Sequence, residues 1–498
     1  MNEPEQAPAD ETGPDVVTDA ESVGSLLYLA HRRSRRAARR QGRRLFSFGL
    51  MATAIGIGYL AYNARVADPI HLYLGIVIFI LAVLPALMWA KEARFGMPLF
   101  EAFMLPGVSI FAVPLLRGHQ MLKQYDSGTI TTAALAVIAY QACACGTYFS
   151  LKVRPKRRGM WVKEIVSKDI SKVLSYGMIV TTIYTFLVQF TDVIPADLVS
   201  EARAVCFGIG IIATFVQTRR WGEGELPYYD KIIFVVQLLA QVIFSWVSLF
   251  LVQGVTILLL ALMGYVSGAK KVPLLAIAIT LPVIAILFNG KAEMRAKYWE
   301  AKAPAPGIAE IPAFFNEWIS DGLTYTPKNG SADENQGVLD RTSLIQIVCL
   351  VVSQSPDHKP YMYGDTYMDI PGQFVPRFFW PGKPLGHVST YKLCVYYGLE
   401  TEEQTLETTI GFGMPAEAYA NFGFAGMIML GCFFGFFFKK VAGMGAESPI
   451  FSYPGLFMIV LMAWTFLTEL PLSAWLASLE QACVAVLGLP FVLKNFFK

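Results

Sequence analysis

Charged side chains are scarce in this chain: Asp, Glu, Lys and Arg make up 16% of it, where a soluble domain carries about 25%. With hydrophobic residues at 54% and a mean hydropathy of +0.46, a water-soluble fold is excluded, and repeated apolar runs of spanning length point to one helical membrane bundle. Histidine is sparse too. His31, His71, His119, His358 and His387 have no zinc-site spacing, which argues against a zinc centre. Outside the apolar runs there is no Asp-x-Asp pair; Asp68 stands alone, and Asp365 and Asp369 lie four apart beside tyrosines. A sugar transferase that depends on a divalent metal needs clustered carboxylates, so metal-free chemistry without a cofactor is expected, with protein cations neutralising any leaving group. Cys143, Cys145, Cys206, Cys349, Cys394, Cys432 and Cys483 form no ligand-like array, and small apolar packing is their expected role. No small-residue cleavage site follows the first apolar stretch, which reads as a retained helix. An internal two-fold hydropathy repeat and a charge at mid-membrane, both common in transporters, are missing as well.

What the chain does have is spans. Apolar runs fall at about 45–64, 71–90, 98–116, 129–149, 173–191, 199–217, 231–250, 253–268, 272–289, 418–438, 451–469 and 473–493. Charge placement sets their direction, since Lys and Arg near span ends stay in the cytoplasm. With both termini inside, every even-numbered turn is basic, from Lys91 and Arg94 through Lys152 and Arg158, Arg219 and Arg220, and Lys270 and Lys271 to Lys439 and Lys440. Arg117 and Lys123 are the main exceptions on the other side. The span at 98–116 is interrupted by Glu101, Pro106 and Pro114, yet removing it would place the basic run 152–158 outside.

The expectation is an all-α polytopic membrane protein with about twelve transmembrane helices. Residues 1–44 form a disordered acidic and then basic cytoplasmic tail, whose basic run is a topology anchor and not a nucleic-acid patch. Helices one to nine occupy 45–289, a large outer loop occupies 290–417, and helices ten to twelve occupy 418–498.

That loop concentrates the candidate chemistry. It opens with Lys291, Arg295 and Lys297, then reaches Arg341 ahead of the apolar run 342–352, which is too short to span and suits an interfacial or re-entrant helix. Arg341 there is either a snorkelling anchor or a ligand group. Residues 374–384 read Phe-Val-Pro-Arg-Phe-Phe-Trp-Pro-Gly-Lys-Pro. Three prolines fix φ and bias each preceding residue towards extended backbone, so Arg377 and Lys383 sit on a braced segment. Arg341, Arg377 and Lys383 together suit a lipid-linked diphosphate, the guanidinium as a planar fork and the lysine as a point charge. Glu417 falls at the mouth of the next span, either complementing the helix dipole or acting as base for a sugar hydroxyl. Glu469 and His387 are the weaker candidates for the base. Tyr419 and Asn421 either hold sugar hydroxyls or cap and pack.

Four segments within about 85 residues, Arg341 with its apolar run, 363–367, 375–384 and 416–423, resemble the bacterial oligosaccharide repeat-unit polymerases, the O-antigen and exopolysaccharide polymerases. The Pro-Arg…Trp-Pro-x-Lys-Pro block carries most of the likeness. The resemblance implies a GT-C-like bundle in a bacterial inner membrane, with 290–417 as its large periplasmic loop, that transfers a growing glycan from undecaprenyl diphosphate onto the next lipid-linked repeat unit on the periplasmic face. Arg341, Arg377 and Lys383 would grip the departing diphosphate, Glu417 would deprotonate the attacking hydroxyl, and Arg295, Tyr367, Trp380, Tyr419 and Asn421 would contact substrate. Partners would be the lipid-linked donor and acceptor, the bilayer, a chain-length regulator and a repeat-unit flippase, with no nucleic acid. A glycan ligase of similar architecture, a polysaccharide or lipid transporter, and a thiol transpeptidase using Cys394 near His387 are the alternatives.

Overall fold

The computed structural model of the protein describes residues 42–92, 97–152, 171–300 apart from 192 and 195, 306–325, 343–375, 380–406 apart from 381 and 385, 410–445 and 448–496. Most of the tail at 1–44, and both Arg341 and Arg377, lie outside these residues.

Among the described residues there is no strand, and nine helices are long and apolar enough to cross a membrane. In chain order the elements are α1 (Gly42–Tyr62), α2 (Pro69–Glu92), α3 (Leu99–Arg117), α4 (Ser127–Ser150), α5 (Ser171–Phe190), α6 (Ala196–Glu223), α7 (Tyr228–Val247), α8 (Leu251–Ala269) and α9 (Leu274–Arg295). After them come α10 (Ile311–Thr324), α11 (Ile345–Gln354), α12 (Val388–Tyr397), α13 (Met414–Gly445), α14 (Tyr453–Trp464) and α15 (Leu472–Phe496). The chain is thus an all-α membrane protein. A helix covers each apolar run read from the sequence, but α6, α14 and α15 are not among the nine, and α14 is only 12 residues long.

Local chemistry explains where these helices start and break. Asp126 opens α4 by accepting from the Thr129 amide at 2.9 Å, and Ser452 does the same for Gly455 ahead of α14 at 3.2 Å. The prolines of α3 divide it into Leu99–Met104, a π turn Val108–Ala112 and Val113–Arg117. Such a broken helix survives in a membrane only where protein surrounds it, and α3 is enclosed over most of its length.

The main core joins α2, α3, α4, α11, α13 and α14, with Phe100, Phe103, Phe434 and Phe438 in mutual ring contact. The seam of α4 against α13 is closed by small residues. A Cβ added to Gly431 would lie 2.3 Å from the Tyr140 carbonyl oxygen, and one on Gly435 2.4 Å from that of Ala144, so the backbones meet as they do where glycine lines a membrane helix pair. Gly435→Leu is expected to cost roughly 3 kcal/mol or more through overpacking, read as a lower melting midpoint in detergent. Gly146→Leu, with nothing within 4 Å of its added Cβ, should melt like the parent.

Two loop helices dock on the bundle. In α10, Trp318 donates to the Leu287 carbonyl of α9 at 2.6 Å, and Phe314 and Trp318 join a second core with Trp246, Leu287 and Met294. The buried α11 is the short helix expected from the run at 342–352, wedged between α4 and α13, with the Leu344 amide bonded to the Ile110 carbonyl at 3.0 Å.

Candidate functional site

The first turns of α13 form a stub that ends at Phe422 and Gly423, where the backbone leaves helical geometry. Gly423 takes φ +58, and a Cβ there would meet the Tyr361 hydroxyl at 2.7 Å, so only glycine fits the bend. The stub holds Glu417, Tyr419 and Asn421. Asn421 is fully buried and acts as a clamp: its Oδ1 accepts from the Gly364 amide at 2.8 Å, and its Nδ2 donates to Thr366 Oγ1 and to the Glu417 carbonyl, both at 2.9 Å. Those bonds hold Tyr363 and Gly364 in successive left-handed conformations, φ +48 and +96. A non-glycine residue held there is strained, and such strain concentrates at functional turns.

Glu417 is completely enclosed, and its Oε2 accepts from the Leu472 amide, the first of α15, at 2.6 Å. A carboxylate is well placed at the positive end of a helix. Thr366 stands against the same carboxyl. Ser389 of α12 donates to the Thr366 carbonyl at 3.0 Å, and Ser473 of α15 donates to Ser389 Oγ at 2.6 Å. Four segments remote in sequence are thereby tied around one carboxyl. Tyr367 stacks on Phe422 with centroids 6.3 Å apart, and burial, with Glu417 nearby, drives its phenol well above the usual value.

The other sequence candidates are dispersed around this knot. Lys383 donates to the carbonyls of Gln373 at 3.0 Å and Val375 at 2.8 Å, fastening the strip to the turn before it. Trp380, 45% exposed, rests against Gly372, whose added Cβ would touch its ring at 3.2 Å. Tyr419 is buried between Tyr361 and Phe424. Arg295 stands apart at the α7–α8 turn, 4.0 Å over Trp299 and donating to the Leu249 carbonyl at 3.1 Å. The acidic pair Asp365 and Asp369 is bridged by Lys392 at 3.3 and 3.0 Å, and no group of three metal-ligating side chains occurs among the described residues. Cys394 is buried and its thiol is pushed up to about 12 by desolvation, so it is protonated at neutral pH and unsuited to nucleophilic attack. Glu469, with its carbonyl bonded to the Gly413 amide at 2.9 Å, has its carboxyl raised by burial, and Lys291 opposes that rise.

Beside the knot, between α5, α6, α7, α8, α14 and α15, lies a cavity of about 540 Å³. It sits at the end of the bundle that carries the long loop: Gln189 closes α5, Ser248 and Gln253 flank the α7–α8 turn, and Ser478 is in the second turn of α15. His387, which precedes α12 and lies two residues from Ser389, rims it. Its ring hydrogen-bonds no protein group among the described residues, and desolvation lowers its pKa from 6.5. The glutamines of this lining were not singled out in the sequence, although three amides inside apolar spans, Gln189, Gln253 and Gln481, were a readable sign.

Residues 118–458 match the model of a family described as a domain of unknown function, DUF8712. The chain belongs to that family. No curated protein and no solved structure matches it. The DUF8712 segment runs from the end of α3 into α14, so it contains Thr366, His387, Glu417 and Asn421 and leaves out Leu472 and the α15 wall of the cavity.

Proposed function

We propose that this protein is a membrane glycosyltransferase that polymerises undecaprenyl-diphosphate-linked oligosaccharide units on the periplasmic face of the inner membrane, with about twelve spans and both termini in the cytoplasm. The observation that carries the reading is the position of the loop block that resembles the repeat-unit polymerases. Its turn at 362–366 is hydrogen-bonded into the mouth of the bundle, next to a cavity of about 540 Å³. A large loop fixed over a cavity at one end of the bundle suits an enzyme that takes substrate from the bilayer better than a carrier that must open to both sides.

In this reading Arg341 and Arg377 stabilise the departing diphosphate, while Lys383 braces the strip that carries Arg377. Glu417 is a positioning residue, because its carboxyl is sealed and already holds the start of α15. The proton acceptor is His387, an imidazole at the cavity rim that desolvation keeps neutral near pH 7.

The pH dependence follows from that assignment. A lowered pKa leaves the basic form present above it, so polymerisation should hold at neutral pH and fall as pH drops through a value below 6.5. His387→Ala should slow extension by about 10²–10⁴-fold and abolish that acid limb. Ladder formation by membranes incubated with lipid-linked units across a pH series reads both. An unchanged acid limb in His387→Ala removes the base assignment, and failure of terminal attachment with normal ladders favours a ligase.

A further inference from the structure

The cavity between α5 and α15 has a lining whose chemistry selects its occupant. Among the described residues no Lys, Arg, Asp or Glu side chain lines it, and His387 is the one titratable group of that lining apart from Tyr184. A diphosphate placed in it would be a desolvated, uncompensated charge, which costs far more than a neutral ligand.

Most of its wall is apolar, but the polar groups set into that wall are at odds with a purely apolar occupant. Gln189 on α5, Gln253 on α8 and Gln481 on α15 line the space, and among the described residues none of their side chains hydrogen-bonds a protein group. Within a bilayer an isoprenoid in contact with three such amides would leave each unpaired. Each amide carries two donors and an acceptor. The hydroxyls of Thr185, Ser248 and Thr256 donate to carbonyls of their own helices at 2.9, 2.7 and 2.8 Å, which leaves their oxygens as acceptors. Phe244 and Trp464 add ring surface to the wall. Donors, acceptors and ring faces without charge match a sugar, which offers hydroxyls around its rim and C–H groups on its faces. A volume of about 540 Å³ lies within the range of about 300–1,000 Å³ that encloses a drug-sized ligand, enough for a short oligosaccharide.

We infer that this cavity is a binding site for an uncharged glycan, drawn into the bundle ahead of its lipid, and that the isoprenoid lies elsewhere. The inference rests on the polymerase reading only for the origin of that glycan, a lipid-linked repeat unit; the site itself requires no bond formation.

The test uses the full-length protein in a polyoxyethylene detergent, photolabelled with a β-maltoside bearing an alkyl diazirine or with the matching alkyl alcohol. The maltoside probe is expected to label peptides covering 241–257 and 478–482, competed by octyl maltoside, while the alcohol labels the lipid-facing surface. Competition by free maltotriose supports the site and shows that the sugar alone suffices; competition by octyl maltoside only supports it as a site for a lipid-borne sugar. Gln253→Leu with Gln481→Leu should reduce cavity labelling about tenfold. Equal cavity labelling by the alcohol, or stronger competition by farnesyl diphosphate than by maltoside, overturns the inference, and neither outcome depends on how the variant folds. A folded double variant that labels like the parent overturns it as well. A protein that labels but makes no polymer keeps the site and loses the proposed reaction, and one that polymerises without labelling does the reverse.

Discussion

Arg377→Ala, expressed at the parent level, is expected to abolish chain extension while single lipid-linked repeat units accumulate. In the proposed reaction the departing diphosphate would develop charge as the glycosidic bond breaks, and protein cations beside it would compensate that charge. Lys383, six residues further along the strip, already donates to the carbonyls of Gln373 and Val375, which leaves the guanidiniums as the groups for the leaving oxygens. Losing one electrostatic donor of this kind costs about 10²–10³-fold in rate. Arg377→Lys keeps the charge and loses the fork, so an intermediate ladder is expected. Gel analysis of the surface polymer beside extracted lipid-linked units reads all three proteins. Normal long-chain polymer in Arg377→Ala removes its proposed role.

Glu417 should separate two roles through two substitutions. As the acceptor for the Leu472 amide at 2.6 Å, it anchors the start of α15, and an amide left without its acceptor on burial costs about 1–3 kcal/mol. Glu417→Ala deletes the acceptor and leaves a buried amide unpaired, so the melting midpoint should fall and polymer output should drop about 100-fold. Glu417→Gln keeps an acceptor oxygen at the same place and is expected to retain activity within about tenfold, with a melting midpoint close to the parent's. A base would behave otherwise: glutamine cannot take a proton, so Glu417→Gln would then lose about 10²–10⁴-fold while melting normally. That second pattern would return the proton-accepting role to Glu417.

The helices were legible because each apolar run is a local property of the chain. Even α3, with Glu101, Pro106 and Pro114, was recoverable from charge placement, although its break into three pieces depends on the neighbours that enclose it. The start of α13 was not. The periodic apolar run suggested 418, whereas the helix begins at Met414 and bends at Gly423 because Tyr361 occupies the space a side chain would need. The site divides in the same way. Glu417 and Asn421 were singled out from local pattern and Tyr367 from the resemblance, but what the first two do is set by Leu472, Gly364 and Thr366, partners about 55 residues away in the chain. Periodicity carries no information on contacts of that range. Lys383 looked like a free point charge because nothing in the strip reveals that its ammonium folds back on the preceding turn. Arg295 likewise looked like part of the loop, and the fold places it against Trp299 and Phe250 at the α7–α8 turn.

Proteoliposomes that hold only this protein and a synthetic undecaprenyl-diphosphate-linked oligosaccharide put the central claim to its most direct trial. The predicted result is a ladder of products with two or more repeat units, one undecaprenyl diphosphate released per bond formed, and neither in Arg377→Ala. Transfer of intact lipid-linked units across the bilayer with no diphosphate carrier released and no ladder would contradict it.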